Sequence, residues 1–235
     1  FRAPFFMLKM IGSTSGLHNV NTVHRVSPLF FCQSLISLQR SRVSACASAP
    51  YVDMPAGLVS NTPLIESLPL SLLTGTKVFL KVDALQSSGS FKDRGMAYMC
   101  AQLQKQGVTR LISSSGGNAG LAAATMGRKL GMHVRVIVPQ TTKPLMLQKM
   151  QLQGADVKVH GANWNEADEL ARQEVAADVE AAYVPPYEDP LLWEGHSSII
   201  DELACANVKP SAIIASVGGG GLYCGLVRGL QRHGW

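Results

Sequence analysis

Between residues 77 and 217 the chain switches repeatedly between two hydrophobic periods. Short β-branched runs at 77–82, 110–113, 134–138, 157–160 and 212–217 read as strands. Segments with helical spacing lie among them at 91–106, 118–130, 143–153, 163–178 and 191–205. Gly107, Gly131 and Gly154 each follow a helical pattern, where the chain leaving a helix favours a left-handed residue. Alternation at this spacing predicts an α/β fold with a largely parallel sheet. In such sheets ligands sit beyond the carboxyl ends of the strands, where loops lead into helix N-termini. The loops in that position are 86–92, 113–118 and 217–222.

Composition narrows the partners. The net charge of +5 suggests a polyanion, but its distribution removes the suggestion. Five basic residues (Arg2, Lys9, Arg25, Arg40, Arg42) precede residue 53 with no acidic residue among them. The remaining 16 of the 21 basic residues balance 16 acidic ones, all from Asp53 onward. A neutral body predicts no nucleic-acid partner. No run of 18 apolar residues occurs, so no membrane-spanning helix is expected. Five cysteines without a Cys-x-x-Cys pair are expected to be reduced thiols, with no metal site. Residues 1–52, Ser-rich and without acids, form an extension outside the catalytic fold, either a mitochondrial transit peptide or a stretch with no folded role. The start at Phe1 and the stop at Trp235, just after a glycine loop that should open a helix, predict the front part of a longer protein.

Each loop admits a plain account and a chemical one. Lys92 follows Ser87-Ser88-Gly89-Ser90-Phe91 and precedes Asp93-Arg94-Gly95 at the start of a helix. The helix dipole disfavours a cation there. Either Lys92 is solvated and tolerated, or the helix end and Arg94 lower its charge toward Schiff-base chemistry. Ser113-Ser114-Ser115-Gly116-Gly117-Asn118 offers successive backbone N–H groups to a carboxylate, or is an ordinary turn capped by Asn118. Gly218-Gly219-Gly220-Gly221 can wrap an anion at a helix start. No Gly-Lys-Ser/Thr follows it and its spacing does not match Gly-x-Gly-x-x-Gly, so a phosphate on something other than a nucleotide fits better.

Taken together, these loops resemble those of the fold-type II pyridoxal-phosphate enzymes, and within them the L-serine dehydratase/L-threonine deaminase family. The resemblance runs from about Thr62 to Trp235. Its marks are Thr62-Pro63-Leu64, Ser88 to Lys92 with Arg94-Gly95, Ser114 to Gly120, Pro185-Pro186-Tyr187-Glu188-Asp189-Pro190-Leu191-Leu192-Trp193-Glu194-Gly195-His196, and Val217 to Gly221. It implies pyridoxal 5'-phosphate bound to Lys92, the catalytic residue, which also takes the substrate's α-proton. It further implies Phe91 on a face of the cofactor ring and Asn118 at its 3'-hydroxyl. Ser115, Gly116, Gly117 and Asn118 would hold the substrate carboxylate, and Gly218, Gly219, Gly220 and Gly221 the phosphate. The activity implied is removal of ammonia from L-serine, giving pyruvate, and from L-threonine, giving 2-oxobutyrate. The long 185–196 run is the most family-specific mark, yet it shows no chemistry, and Trp193 and His196 read as packing and capping residues.

The resemblance also implies two α/β domains in the tryptophan synthase beta-like arrangement with largely parallel sheets. The small one would span 90–186, and the large one, incomplete here, 53–89 and 187–235. A cytoplasmic homodimer is expected of the full-length protein, or a mitochondrial one if residues 1–50 are a transit peptide. Two departures stand out: Asp93 replaces an apolar residue in a pattern closer to threonine synthase, and Gly116 replaces an alanine of some members. Threonine synthase, serine racemase and an inactive truncated fragment are the alternatives.

Overall fold

The computed structural model describes residues 9–12 and 51–235. In chain order the elements begin with β1 (Lys9–Gly12), β2 (Leu64–Glu66), α1 (Leu68–Thr74), β3 (Lys77–Lys81), a 3-10 turn (Asp83–Leu85) and α2 (Lys92–Lys105). They continue with β4 (Arg110–Ser113), α3 (Asn118–Leu130), β5 (His133–Val138), α4 (Pro144–Leu152), β6 (Asp156–Val159) and α5 (Trp164–Ala176). The last are β7 (Ala181–Tyr183), α6 (Pro190–Cys205), β8 (Ala212–Ile214) and α7 (Gly221–Arg232). Gly107, Gly131 and Gly154 have φ of +89°, +68° and +83°, as expected of residues ending helices.

One sheet has the order β6-β5-β4-β7 with every pairing parallel. Its alternation sends Leu111, Val134, Val136 and Val138 into a core shared with α2 and α3. Ile112 and Ile137 point the other way, onto Ala167 and Ala171 of α5. Apolar side chains on both faces explain why these strands read as nearly continuous hydrophobic runs. The α/β architecture with a parallel sheet is thus present as expected.

The second sheet, β2-β3-β1-β8, departs from that expectation, because each of its pairings is antiparallel. β3 and β8 run in the same direction, since both oppose β1. The presence of β1 also corrects the placement of the whole of 1–52 outside the fold: Lys9 lies opposite both Leu80 and Ile214. Two strands with a gap between them present rows of backbone donors and acceptors that any extended segment can satisfy. Composition is blind to that kind of pairing. The transit-peptide reading otherwise falls outside the described residues. Helices α6 and α7 cover this sheet, packing Ile199, Ile200, Leu203, Leu222 and Leu226 with Leu64, Phe79 and Ile213.

Smaller differences have local causes. The short elements β2, α1 and β7 carry too few residues to show a period. The strand expected at 212–217 ends at Ile214, leaving three residues to approach the glycine loop. Cys205 is disulfide-bonded, against the expectation of five reduced thiols, whereas Cys100 and Cys224 are free. Among the described residues no helix is long and apolar enough to cross a membrane.

Candidate active site

Lys92 is the first residue of α2, directly after Phe91 at the N-cap. Its Nζ donates to the Pro186 carbonyl oxygen at 2.5 Å and lies 5.1 Å from the centre of the Phe91 ring. Burial pushes the amine down from its ordinary value of 10.5 to about 8. The lowering expected from the sequence is present, but its cause is different. Burial is the cause, and the Arg94 guanidinium is turned to other partners.

That guanidinium is fully buried and gripped by two carboxylates. Nε and Nη2 donate to Asp83, each at 2.8 Å, and Nη1 and Nη2 donate to Glu202 at 2.6 and 3.0 Å. Ser198 Oγ and Thr62 Oγ1 accept further bonds at 3.1 Å. Burial opposes its charge, yet the Asp83 and Glu202 contacts hold its pKa above the ordinary guanidinium value. Lys81 joins the cluster through Glu202 and the Thr62 carbonyl. This network ties the first turn of α2 to α6 and to the segment around Thr62. Asp93, the departure noted above, is also buried, and its Oδ2 accepts from the Ser88 N–H at 2.8 Å. It braces the loop before Lys92, and burial pushes its carboxyl pKa up.

The glycine loop is shaped by Tyr187. A methyl group on Gly219 would lie 2.3 Å from Tyr187 Cγ, and one on Gly221 2.7 Å from the Tyr187 carbonyl oxygen. Gly220, the N-cap of α7, has φ of +84° in the left-handed region. No side chain caps that helix start and no acidic residue occupies its first turn, so its N–H groups suit an anion.

The serine loop divides its work. Ser114 is buried, donating to Asp168 at 2.7 Å and bonding the Tyr183 hydroxyl at 2.9 Å, so its side chain braces β4 against α5 and β7. Ser115 Oγ accepts from the Gly117 N–H at 3.3 Å inside the turn. A methyl on Gly116 would meet Thr142 Oγ1 at 2.5 Å, so Thr142 already fills the space an alanine would take. Gly117, not Asn118, is the N-cap of α3. Asn118 opens the helix and turns into the cavity that holds Lys92.

One cavity of about 120 Å³ is lined by Phe91, Lys92, Asn118 and Gly218 through Gly221. The expected cofactor residues therefore meet in space, though they come from three separate loops. Ser115, Gly116 and Gly117 do not line it; they lie on the turn leading to Asn118. Tyr187, missed from the sequence, forms a further wall. Pro186 and Tyr187 were legible only as a family mark, because a carbonyl acceptor and a packed ring leave no spacing signal. A buried amine with its pKa lowered to about 8, beside a glycine loop in which Gly219 and Gly221 leave no room for a Cβ against Tyr187, fits an aldehyde carrying a phosphate.

Comparison with known proteins agrees with this geometry. The profile of the family described as pyridoxal-phosphate dependent enzyme matches residues 56–235. The human L-serine dehydratase/L-threonine deaminase is 48% identical over 175 residues, covering 74% of this chain and 53% of that protein. A fungal L-serine ammonia-lyase from Rhizomucor miehei superposes with a TM-score of 0.69 at 34% identity, over 76% of this chain and 57% of the other. The serine racemase of Dictyostelium discoideum, at 20% identity and a TM-score of 0.66, covers 83% of this chain and 60% of its own and shares the fold. The chain spans about half the length of the curated relatives it matches. By the match over most of its length, it belongs to the pyridoxal-phosphate dependent enzyme family.

Proposed function

We propose that this chain carries the cofactor-binding front of an L-serine/L-threonine ammonia-lyase. The reaction is the deamination of L-serine to pyruvate and ammonia, and of L-threonine to 2-oxobutyrate and ammonia. Water is lost across Cα–Cβ and regained when the released enamine hydrolyses. The observation that carries the reading is Lys92, at a helix start, sharing one cavity with the four-glycine loop. The names of the human and Rhizomucor miehei relatives support the substrate class.

Pyridoxal phosphate, when bound, supplies an electron sink for the carbanion formed at the substrate's α-carbon. The chain's residues do the rest. Lys92 Nζ would hold the cofactor covalently and, as a free amine, would receive the substrate's α-proton. An amine with a pKa of about 8 is uncharged in a useful fraction near neutrality, as a proton acceptor must be. Phe91 would pack against the cofactor ring, and the Asn118 amide would serve the ring's 3'-hydroxyl; both line the cavity. Gly218 through Gly221 would take the phosphate on backbone N–H groups at the uncapped start of α7. Ser115, Gly116, Gly117 and Asn118 would hold the substrate carboxylate, on a turn braced beneath by Ser114 and Asp168. In the same reading, 90–186 is the small domain, with 53–89 and 187–235 in the large one; the two sheets of different character support that division.

Asp93 no longer favours threonine synthase: it braces Ser88 and does not line the cavity. Full-length protein incubated separately with L-serine, L-threonine and phosphohomoserine decides the substrate. Pyruvate and 2-oxobutyrate are the expected products, and turnover of phosphohomoserine alone overturns the reading.

A further inference from the structure

His196 lies in the family-marking run that showed no chemistry, and the structure puts it at a junction. Its side chain is completely buried. Neither ring nitrogen has a hydrogen-bond partner among the described residues. Leaving buried polar atoms unpaired costs on the order of 1–3 kcal/mol, so shape and not hydrogen bonding keeps the ring there. Burial, with the nearby charges of Lys92 and Arg94, holds its pKa well below the ordinary imidazole value, and the ring stays uncharged.

The shape is specific. A methyl on Gly95 of α2 would lie 2.6 Å from His196 Cε1, and one on Gly225 of α7 would lie 2.4 Å from His196 Cβ. The residue on α6 is thus a knob seated against bare backbone on two other helices. Gly95 comes three residues after Lys92, and Gly225 four residues after Gly221, about one helical turn in each case. The same ring meets Phe91 edge-on, with centroids 5.1 Å apart at 65°. Both helix starts that build the cavity are therefore spaced from one side chain.

We propose that His196 is a positioning residue, the knob by which α6 sets the distance between Lys92 and the glycine loop. The inference rests on the reading of those two features as the attachment point and phosphate cradle of pyridoxal phosphate. A ligand anchored at both ends senses that distance, whereas one anchored only at Lys92 does not.

Binding of pyridoxal phosphate and of pyridoxal to the full-length protein, followed by absorbance and borohydride trapping at Lys92, separates the cases. His196→Ala should weaken pyridoxal phosphate on the order of tenfold while changing pyridoxal by less than about threefold. His196→Phe, which keeps a ring, should restore most of the ratio between the two. Equal weakening of both ligands, or an unchanged ratio with only a lower melting temperature, overturns the proposal. Should His196→Ala fail to fold, His196→Leu carries the same comparison. Absence of any Lys92 adduct in the unsubstituted protein would sink the cofactor reading itself, an outcome distinct from a ratio lost in the variant alone.

Discussion

The lysine loop and the glycine loop both end at a helix start on the same cavity, but they are held by opposite means. Before and after Lys92 the chain is fixed by charged side chains: Asp93 bonds the Ser88 N–H, and Arg94 is clamped between Asp83 and Glu202. The glycine loop has no side-chain cap and takes its form from backbone lying against Tyr187. The first arrangement places the Lys92 side chain and depends most on the ion pairs of Arg94. The second offers bare N–H groups and leaves no room for an added carbon at Gly219 or Gly221. A site that needs one covalent anchor and one anion cradle uses each where its chemistry demands.

The contrast can be broken most completely at Lys92. Lys92→Ala should abolish the borohydride-trapped pyridoxal-phosphate adduct, read by intact mass, while leaving the circular dichroism spectrum unchanged. In the unsubstituted protein the rate of adduct formation should rise with pH through about 8 and then level off. The sign follows from the amine, which is protonated and unreactive below that pH and free above it. A midpoint at the ordinary lysine value of 10.5 would show that burial does not govern the group.

Arg94→Met should come next, destabilising the fold by roughly 3–5 kcal/mol in a urea titration, because Asp83 loses the guanidinium and Glu202 is left with Lys81. Arg94→Lys should recover only part, as one ammonium cannot grip two carboxylates in parallel. Gly219→Ala tests the other side, with a loss of about 1–3 kcal/mol from overpacking against Tyr187. The same substitution in a Tyr187→Ala background should be nearly neutral, and equal losses in both backgrounds would remove Tyr187 from the account. Asp93→Asn should have the smallest effect, under about 1 kcal/mol, since an amide oxygen still accepts from Ser88.

Much of the site was legible because its signals are local. Phe91, Lys92, Asn118 and the four glycines stand at loop positions that strand and helix periods mark out. The parallel sheet was legible too, since β4 and β5 are apolar on both faces. The roles of Ser114, Tyr187 and His196 were not. Ser114 looked like part of an anion loop, yet its hydroxyl is spent on Asp168, 54 residues away. Tyr187 packs against Gly219 and Gly221, and His196 against Gly95 and Gly225, and neither spacing nor residue type records such contacts.

Short-range pattern alone determined where strands yield to helices and which loops lead into helix starts, because period and glycine punctuation act over a few residues. Tertiary structure decided what surrounds each group. The Lys92 amine meets the carbonyl of a residue 94 positions later, and Arg94 meets a carboxylate 108 positions later. Burial among such distant residues lowers the pKa of Lys92, and pairing with Asp83 and Glu202 holds the charge of Arg94. The antiparallel course of the second sheet and the seat of β1 were decided in the same way, by backbone groups needing partners regardless of the side chains beside them.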